Sequence, residues 1–260
     1  MPAHIVHWNP RRLPLPGRLS EMFRVGPRVN NFGDVLGPVL VDAILRERGL
    51  DPAAGRGRVL TVGSIMHYSQ PGDVVWGSGV NPKSGDDLGG APGLDVRAVR
   101  GPRTREVLQS VGTTVPEVYG DPGLLWSRFF PRESYTAGRT TRPVTIVPNM
   151  HDWSGFAHDP RAVSPRRPVH DVIAQIASSE LVVGSSLHGV VVAESFGIPA
   201  RLVVGGTEPG FKYDDYYRGT GRPAYETASS VDEAIALGGE KPPVWDPEPL
   251  LAAFPADLWR

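Results

Sequence analysis

The chain has 260 residues, 40% of them hydrophobic and 21% charged, with a formal net charge of -1 and no cysteine. This is the composition of a folded globular protein with room for one large domain or two compact ones. It excludes a disulfide scaffold, thiolate metal sites, iron–sulfur clusters and a cysteine nucleophile, and the near-zero charge excludes broad nucleic-acid binding, which needs a net basic surface.

Glycine (31) and proline (27) are abundant, yet together stay below the roughly 25–30% share at which low-complexity disorder takes over. Many tight turns are therefore expected. Lys83, Lys212 and Lys241 are the lysines and all other basic residues are arginine, whose fork of donors matches carboxylate and phosphate. No run approaches the ~18 apolar residues of a membrane span, and the start, MPAHIVHWNPRR, lacks an apolar signal core. A cytoplasmic protein without a transmembrane segment is the expectation.

In chain order, short β-branched runs ending in Gly, Ser, Asn or Asp predict strands at His4–Trp8, Val59–Val62, Asp73–Trp76, Val96–Val99 and Val115–Tyr119. The spacing of Val35, Val39, Leu40, Ala43 and Ile44 predicts a helix over Val35–Arg48. Pro102 opens another over Arg103–Val111. The polar Arg132–Arg142 stretch reads as a linker. Beyond it come a strand at Val144–Val147, a helix at Val169–Ser178, a strand at Leu181–Val183, a helix at Gly189–Phe196 and a strand at Arg201–Val204. That β-α-β-α-β order implies parallel pairing with right-handed crossovers. Ser230 and Glu233 form a capping box for a helix through Leu237. A Pro-rich passage, Lys241–Pro249, leads to a short helix at Pro249–Phe254 and an apolar end expected to dock on the body. The domain reading is 1–135 and 140–237, with a tail over 238–260.

Three segments carry candidate chemistry. In Leu181-Val182-Val183-Gly184-Ser185-Ser186-Leu187-His188-Gly189 a strand runs through small residues into a helix. Ser185, Ser186 and His188 then sit at a helix N-terminus beyond a strand end, where free N–H groups bind anions; the serines as caps and His188 as a boundary residue is the competing structural reading. The nucleophile elbow G-x-S-x-G is excluded because His188 takes its last glycine position. In Asn30-Asn31-Phe32-Gly33-Asp34, Asp34 either caps the following helix or receives a sugar hydroxyl.

In Val99-Arg100-Gly101-Pro102-Arg103-Thr104, a rigid turn presents Arg100 for carboxylate or phosphate. Arg103 there opposes the helix dipole unless an anion binds. Weaker signals are Val75–Asn81, which is not a G-x-G-x-x-G because Pro82 ends it, and Lys212, a point charge in the aromatic, loop-bounded Phe211–Tyr217 stretch. There is no H-E-x-x-H, and His151-Asp152 with His158-Asp159 lack a zinc spacing, so no metal is expected.

Six stretches in order, NNFGDVLGPVLV, VGSIMHYSQPGDVVWGSGV, VRGPRTREVL, YGDPGLL, VVGSSLHGVVVAESFGIPA and FKYDDYY, run from Asn30 to Tyr217. Together they resemble the polysaccharide pyruvyl transferase family, in particular the bacterial exopolysaccharide ketal pyruvyl transferases. The resemblance implies an α/β fold like the B-type glycosyltransferases, with two Rossmann-like halves facing a cleft. It implies phosphoenolpyruvate as co-substrate, no cofactor, and a sugar acceptor whose two neighbouring hydroxyls become a cyclic pyruvate ketal as phosphate is released. Acceptors in the family are often lipid-linked, which would bring the protein to the inner face of the membrane.

His188 matches the Leu-His signature as acid/base, joined by Asp34, and Arg100 opens the family's Arg-x-x-x-Ser/Thr segment as a donor-binding group. The donor side extends to Arg103, Ser185, Ser186, Leu187, Gly189 and Lys212, and the acceptor side to Asn31, Asn149 and His151. Some relatives carry an arginine before Leu-His where this chain has Ser186, so Arg103, Lys212 or N–H groups at Gly189 are expected to compensate. The rival readings are a nucleotide-sugar glycosyltransferase, with Glu194 on the donor ribose, and a non-catalytic carbohydrate-binding protein. Glycines at strand ends, such as Gly33, Gly79 and Gly189, are expected to let backbone approach the anionic ligand.

Overall fold

Val, Ile and Leu dominate the segments that pair, and among the described residues every strand-to-strand pairing is parallel. The computed structural model describes residues 3–11, 27–81, 93–204 and 210–260; Pro82, singled out in the sequence, lies outside them. Within the described residues β1 (His4–Val6), β2 (Arg58–Leu60), β3 (Val74–Trp76) and β4 (Asp95–Ala98) form one sheet in that order. A second sheet runs β5 (Arg142–Ile146), β6 (Ser179–Gly184), β7 (Ala200–Leu202). Val59 stands opposite Ile5 on one side and Val74 on the other, and Val182 opposite Thr145 and Ala200. Both faces of the central strands are buried, as parallel sheets covered by helices require. The strand expected at Val115–Tyr119 shrinks to one bridge between Tyr119 and Val99, because Pro116 has no N–H to give a ladder.

The crossover from β1 to β2 contains the helix Phe32–Glu47. Phe32, Leu36, Leu40 and Ile44, spaced by four, are fully buried on one face. That helix packs on the helix Val169–Ala177 and the turn Pro122–Leu125, so the apolar interior runs without a break between elements of the two sheets. The segment expected as a linker is fastened: it contains a helical turn, Glu133–Thr136, and the Arg132 guanidinium donates to the carbonyls of Ala177 and Ser179 at 2.8 and 3.1 Å.

The helices differ from expectation at several points, the first beginning at Phe32 rather than Val35. The helix after β6 runs Leu187–Ser195, two residues earlier than Gly189, because Ser186 Oγ accepts the Gly189 N–H at 3.3 Å and caps it. The stretch around Lys212 is a helix, Phe211–Gly219, whose Tyr213, Tyr216 and Tyr217 are buried while it packs on Pro102–Ser110. Aromatic residues rank low in helix propensity, and tertiary burial overrides that. At Val231–Leu237 the cap is Ser230 as expected, but the Glu233 carboxylate reaches back to the Ser229 N–H rather than that of Ser230.

The last residues lie against the first sheet. The indole N–H of Trp76 donates to the Leu250 carbonyl at 2.8 Å, Phe254 meets Trp76 edge-on, and Arg97 joins Asp95 to Asp257.

Candidate functional site

In a parallel sheet every strand ends on the same edge, where backbone groups leave the ladder and loops can converge on a ligand. Here a cavity of about 560 Å³ collects a residue from beyond each strand: Trp8 after β1, Ser64 after β2, Asn81 after β3, Arg100 after β4, Asn149 after β5, Ser186 and His188 after β6, and Lys212 after β7. Asn31, Asp34, Leu187 and His151 complete the expected lining. Arg103, Ser185 and Gly189 are not on its wall. Arg103 is held by Glu106, Asp214 and the Phe211 ring; the Ser185 hydroxyl accepts the Asn149 N–H at 3.1 Å; Gly189 packs against Val147.

His188 lies in the first turn of its helix, seated between Gly33, expected to face a ligand, and Asp121, which sequence reasoning left without a role. A Cβ on Gly33 would come within 2.3 Å of His188 Nδ1, so glycine is required for the imidazole to fit. On the other side Nε2 is 3.7 Å from Oδ2 of Asp121, a fully buried carboxylate. Asp121, third in the YGDPGLL stretch, caps the Pro122–Leu125 turn, its Oδ1 taking the Gly123 N–H at 2.9 Å. Its signal was present as an Asp-Pro helix start, which reads as a cap and no more.

Asp34 stands on the same wall. Burial pushes its carboxyl above the ordinary Asp value, opposed by the nearby His188, by the Asn31 amide that donates to Oδ2 at 2.6 Å, and by Lys212. The Tyr68 phenol, also lining the cavity, is raised by burial and by Asp34 and so stays a donor.

Arg100 departs from its expected role as an open guanidinium. It is fully buried, with Nε on Asp215 at 3.0 Å and Nη1 on Ser64 Oγ at 2.6 Å; Asp215 also receives the N–H and hydroxyl of Thr104. A Cβ on Gly79 would fall 2.3 Å from Arg100 Cζ. At Gly33 and Gly79, then, the missing side chain makes room for His188 and Arg100 rather than for a ligand. The positive charge sits in the floor, and Ser64, accepting from Arg100, keeps its own O–H to present to the cavity.

Ser186 spends its hydroxyl on the cap. Asn149 spends its side chain on a turn, accepting from His151 and Asp152 N–H groups at 2.8 and 3.0 Å and donating to the Asp152 carboxylate at 2.8 Å. A cation missed from sequence, Arg166, reaches the cavity from an exposed loop. Asn30, in the left-handed region at φ 57, pins that loop by donating to the carbonyls of Arg166 and Arg167, each at 2.9 Å. Nothing in a single arginine between Ser164-Pro165 and Arg167-Pro168 signals this. Glu194, the ribose candidate of the rival reading, is buried and committed to Arg222 and Tyr216. Among the described residues no group of three His, Asp or Glu side chains could hold a metal ion, and no helix is long and apolar enough to cross a membrane.

The chain is similar to known proteins. The succinoglycan biosynthesis protein ExoV of Rhizobium meliloti (strain 1021) is 28% identical over 228 residues, 80% of this chain and 68% of that protein. A solved structure of an uncharacterized protein from Klebsiella pneumoniae subsp. pneumoniae NTUH-K2044 is similar at 10% identity and a TM-score of 0.48, covering 72% of this chain and 84% of that one. The sequence profile described as Polysaccharide pyruvyl transferase matches residues 74–205, just over half the chain, a span that holds Arg100, Asp121 and the Ser186-Leu187-His188 turn. By that match the chain belongs to the polysaccharide pyruvyl transferase family.

Proposed function

We propose that this protein transfers the pyruvyl group of phosphoenolpyruvate to two hydroxyls of a sugar in an exopolysaccharide repeat unit, forming a cyclic ketal and releasing phosphate. The observation that carries the reading is one cavity in which an imidazole and a carboxyl of raised proton affinity meet three cationic side chains, Arg100, Arg166 and Lys212. The two sheets, within 1–135 and 140–237, are read as Rossmann-like halves whose strand ends face this cavity, with 238–260 crossing back.

Phosphoenolpyruvate is an enol ester bearing a carboxylate and a phosphate. Proton transfer from His188 to the methylene carbon makes a methyl group and leaves positive charge on the adjacent C2. A sugar hydroxyl bonds to C2 while Asp34 takes its proton; burial has made this carboxyl a stronger base than a solvated Asp. The C2–O bond to phosphate then breaks, the electron pair leaving with phosphate, and the second hydroxyl closes the ring. Of the two hydroxyl protons one is regained by the methyl-forming acid and one leaves on phosphate, so the histidine and the carboxyl return to their starting states.

Negative charge is met by Arg166 and Lys212 at the wall, by Arg100 through Ser64, and by the positive end of the Leu187–Ser195 helix. Asn31, His151 and the backbone of Asn149 are the acceptor contacts. We read the acceptor as a sugar of a lipid-linked oligosaccharide at the inner face of the membrane.

Thermal shift tests the donor. Phosphoenolpyruvate is expected to raise Tm, by about 2.7 kcal/mol of stabilisation at a hundred times its Kd, while nucleoside diphosphates leave Tm unchanged. Stabilisation by a nucleoside diphosphate alone would overturn the reading in favour of a nucleotide-sugar donor.

A further inference from the structure

We infer that Asp121 is a positioning residue, which holds His188 with a proton on Nε2 and thereby makes Nδ1 the ring nitrogen that exchanges protons in the cavity. The kinetic part of this inference rests on the pyruvyl-transfer reading; the structural part does not. Among the described residues, two buried polar atoms without a hydrogen-bond partner stand 3.7 Å apart: Asp121 Oδ2 and His188 Nε2. An unpaired polar atom in a dry interior costs stability, and each atom here is the complement the other needs, an acceptor and a ring N–H.

Asp121 cannot turn away. Its Oδ1 is tied to the Gly123 N–H at 2.9 Å, and it caps a turn whose first residue, Pro122, has a fixed φ. His188 has limited freedom too, since it sits in the first turn of a capped helix with its ring against Gly33. With Nε2 buried, Nδ1 is the nitrogen left to reach the cavity, on the side where Gly33 has no Cβ and Asp34 follows. The second ring nitrogen of a working histidine is commonly set by the hydrogen bond the first one makes, and a carboxylate in this place selects the tautomer.

The test uses protein labelled with ¹⁵N at histidine, with long-range ¹H–¹⁵N correlations recorded at alkaline pH and the His188 signals identified by their loss in His188→Gln. The wild-type ring is expected as the Nε2–H tautomer. In Asp121→Asn the amide oxygen still accepts from Gly123 while its NH₂ faces Nε2, so the ring is expected to switch to Nδ1–H. The kcat for phosphate release should fall about 10²–10⁴-fold, as for a mispositioned tautomer, with KM for phosphoenolpyruvate little changed and the far-UV spectrum retained. A wild-type His188 protonated on Nδ1, or an Asp121→Asn ring that keeps the wild-type tautomer, would overturn the inference. So would full kcat in a variant whose tautomer has switched. Wild-type protein that shows the Nε2–H tautomer but releases no phosphate from phosphoenolpyruvate would instead count against the pyruvyl-transfer reading alone.

Discussion

A carboxyl short of water makes the protein that carries it less stable whenever it is ionised, and Asp34 is such a group. Its folded-state proton affinity lies above the ordinary value of 3.8. The resulting penalty is absent below that value, where both states are protonated, and grows as pH rises through the higher folded-state value. Asp34→Asn is therefore expected to raise Tm at pH 7, with the gain fading toward pH 4, and to lower kcat about a hundredfold. Calorimetry across that pH range with a parallel activity assay checks both. An Asn variant no more stable than wild type at pH 7 would show that the carboxylate is well solvated in place. Arg100 makes the complementary point: it is paired with Asp215, both fully buried, so the pair shapes the floor, and the guanidinium reaches the cavity by donating to Ser64.

At the scale of elements, the Ser186-Leu187-His188 turn does two jobs at once. Ser186 closes the helix, and the helix carries His188. Ser186→Ala should cost about 1 kcal/mol and Ser186→Gly only a few tenths, read from denaturant midpoints. Equal losses for the two variants would deny the cap.

What could be read from sequence follows the same division. The parallel strands and the helices between them were legible because hydrophobic spacing reports burial directly, and most of the cavity wall followed from asking what lies just past each strand. The Phe211–Gly219 helix was not legible, since its stability comes from tyrosines packed on a distant helix. Arg166 was not legible either, as its loop is held against the cavity by Asn30, 136 residues away in sequence, and by the Phe32 N–H. Asp121 was in view as a cap, but its approach to His188 depends on two turns meeting in space.

Across the whole molecule, the tail over residues 245–259 binds the first sheet through Trp245 on Tyr119, Leu250 and Phe254 on Trp76, and Asp257 on Arg97. Leu250 is fully buried, so Leu250→Ala should lower stability by about 2–5 kcal/mol in urea unfolding; a loss below 1 kcal/mol would mean that the tail is a loosely held cover. The interior that this tail completes also contains Leu187 of the cavity wall, which ties the site to the integrity of the fold.

The central claim is that this one cavity moves pyruvate from phosphoenolpyruvate onto sugar hydroxyls. It is tested most directly by following phosphate release from phosphoenolpyruvate against a panel of galactosyl, glucosyl and mannosyl acceptors, with His188→Ala beside the wild type. The account predicts phosphate release that depends on one acceptor class, matched by an acid-labile pyruvate on the saccharide and lost in His188→Ala. Full release in His188→Ala, or none from the wild type with any acceptor that it binds, would contradict it.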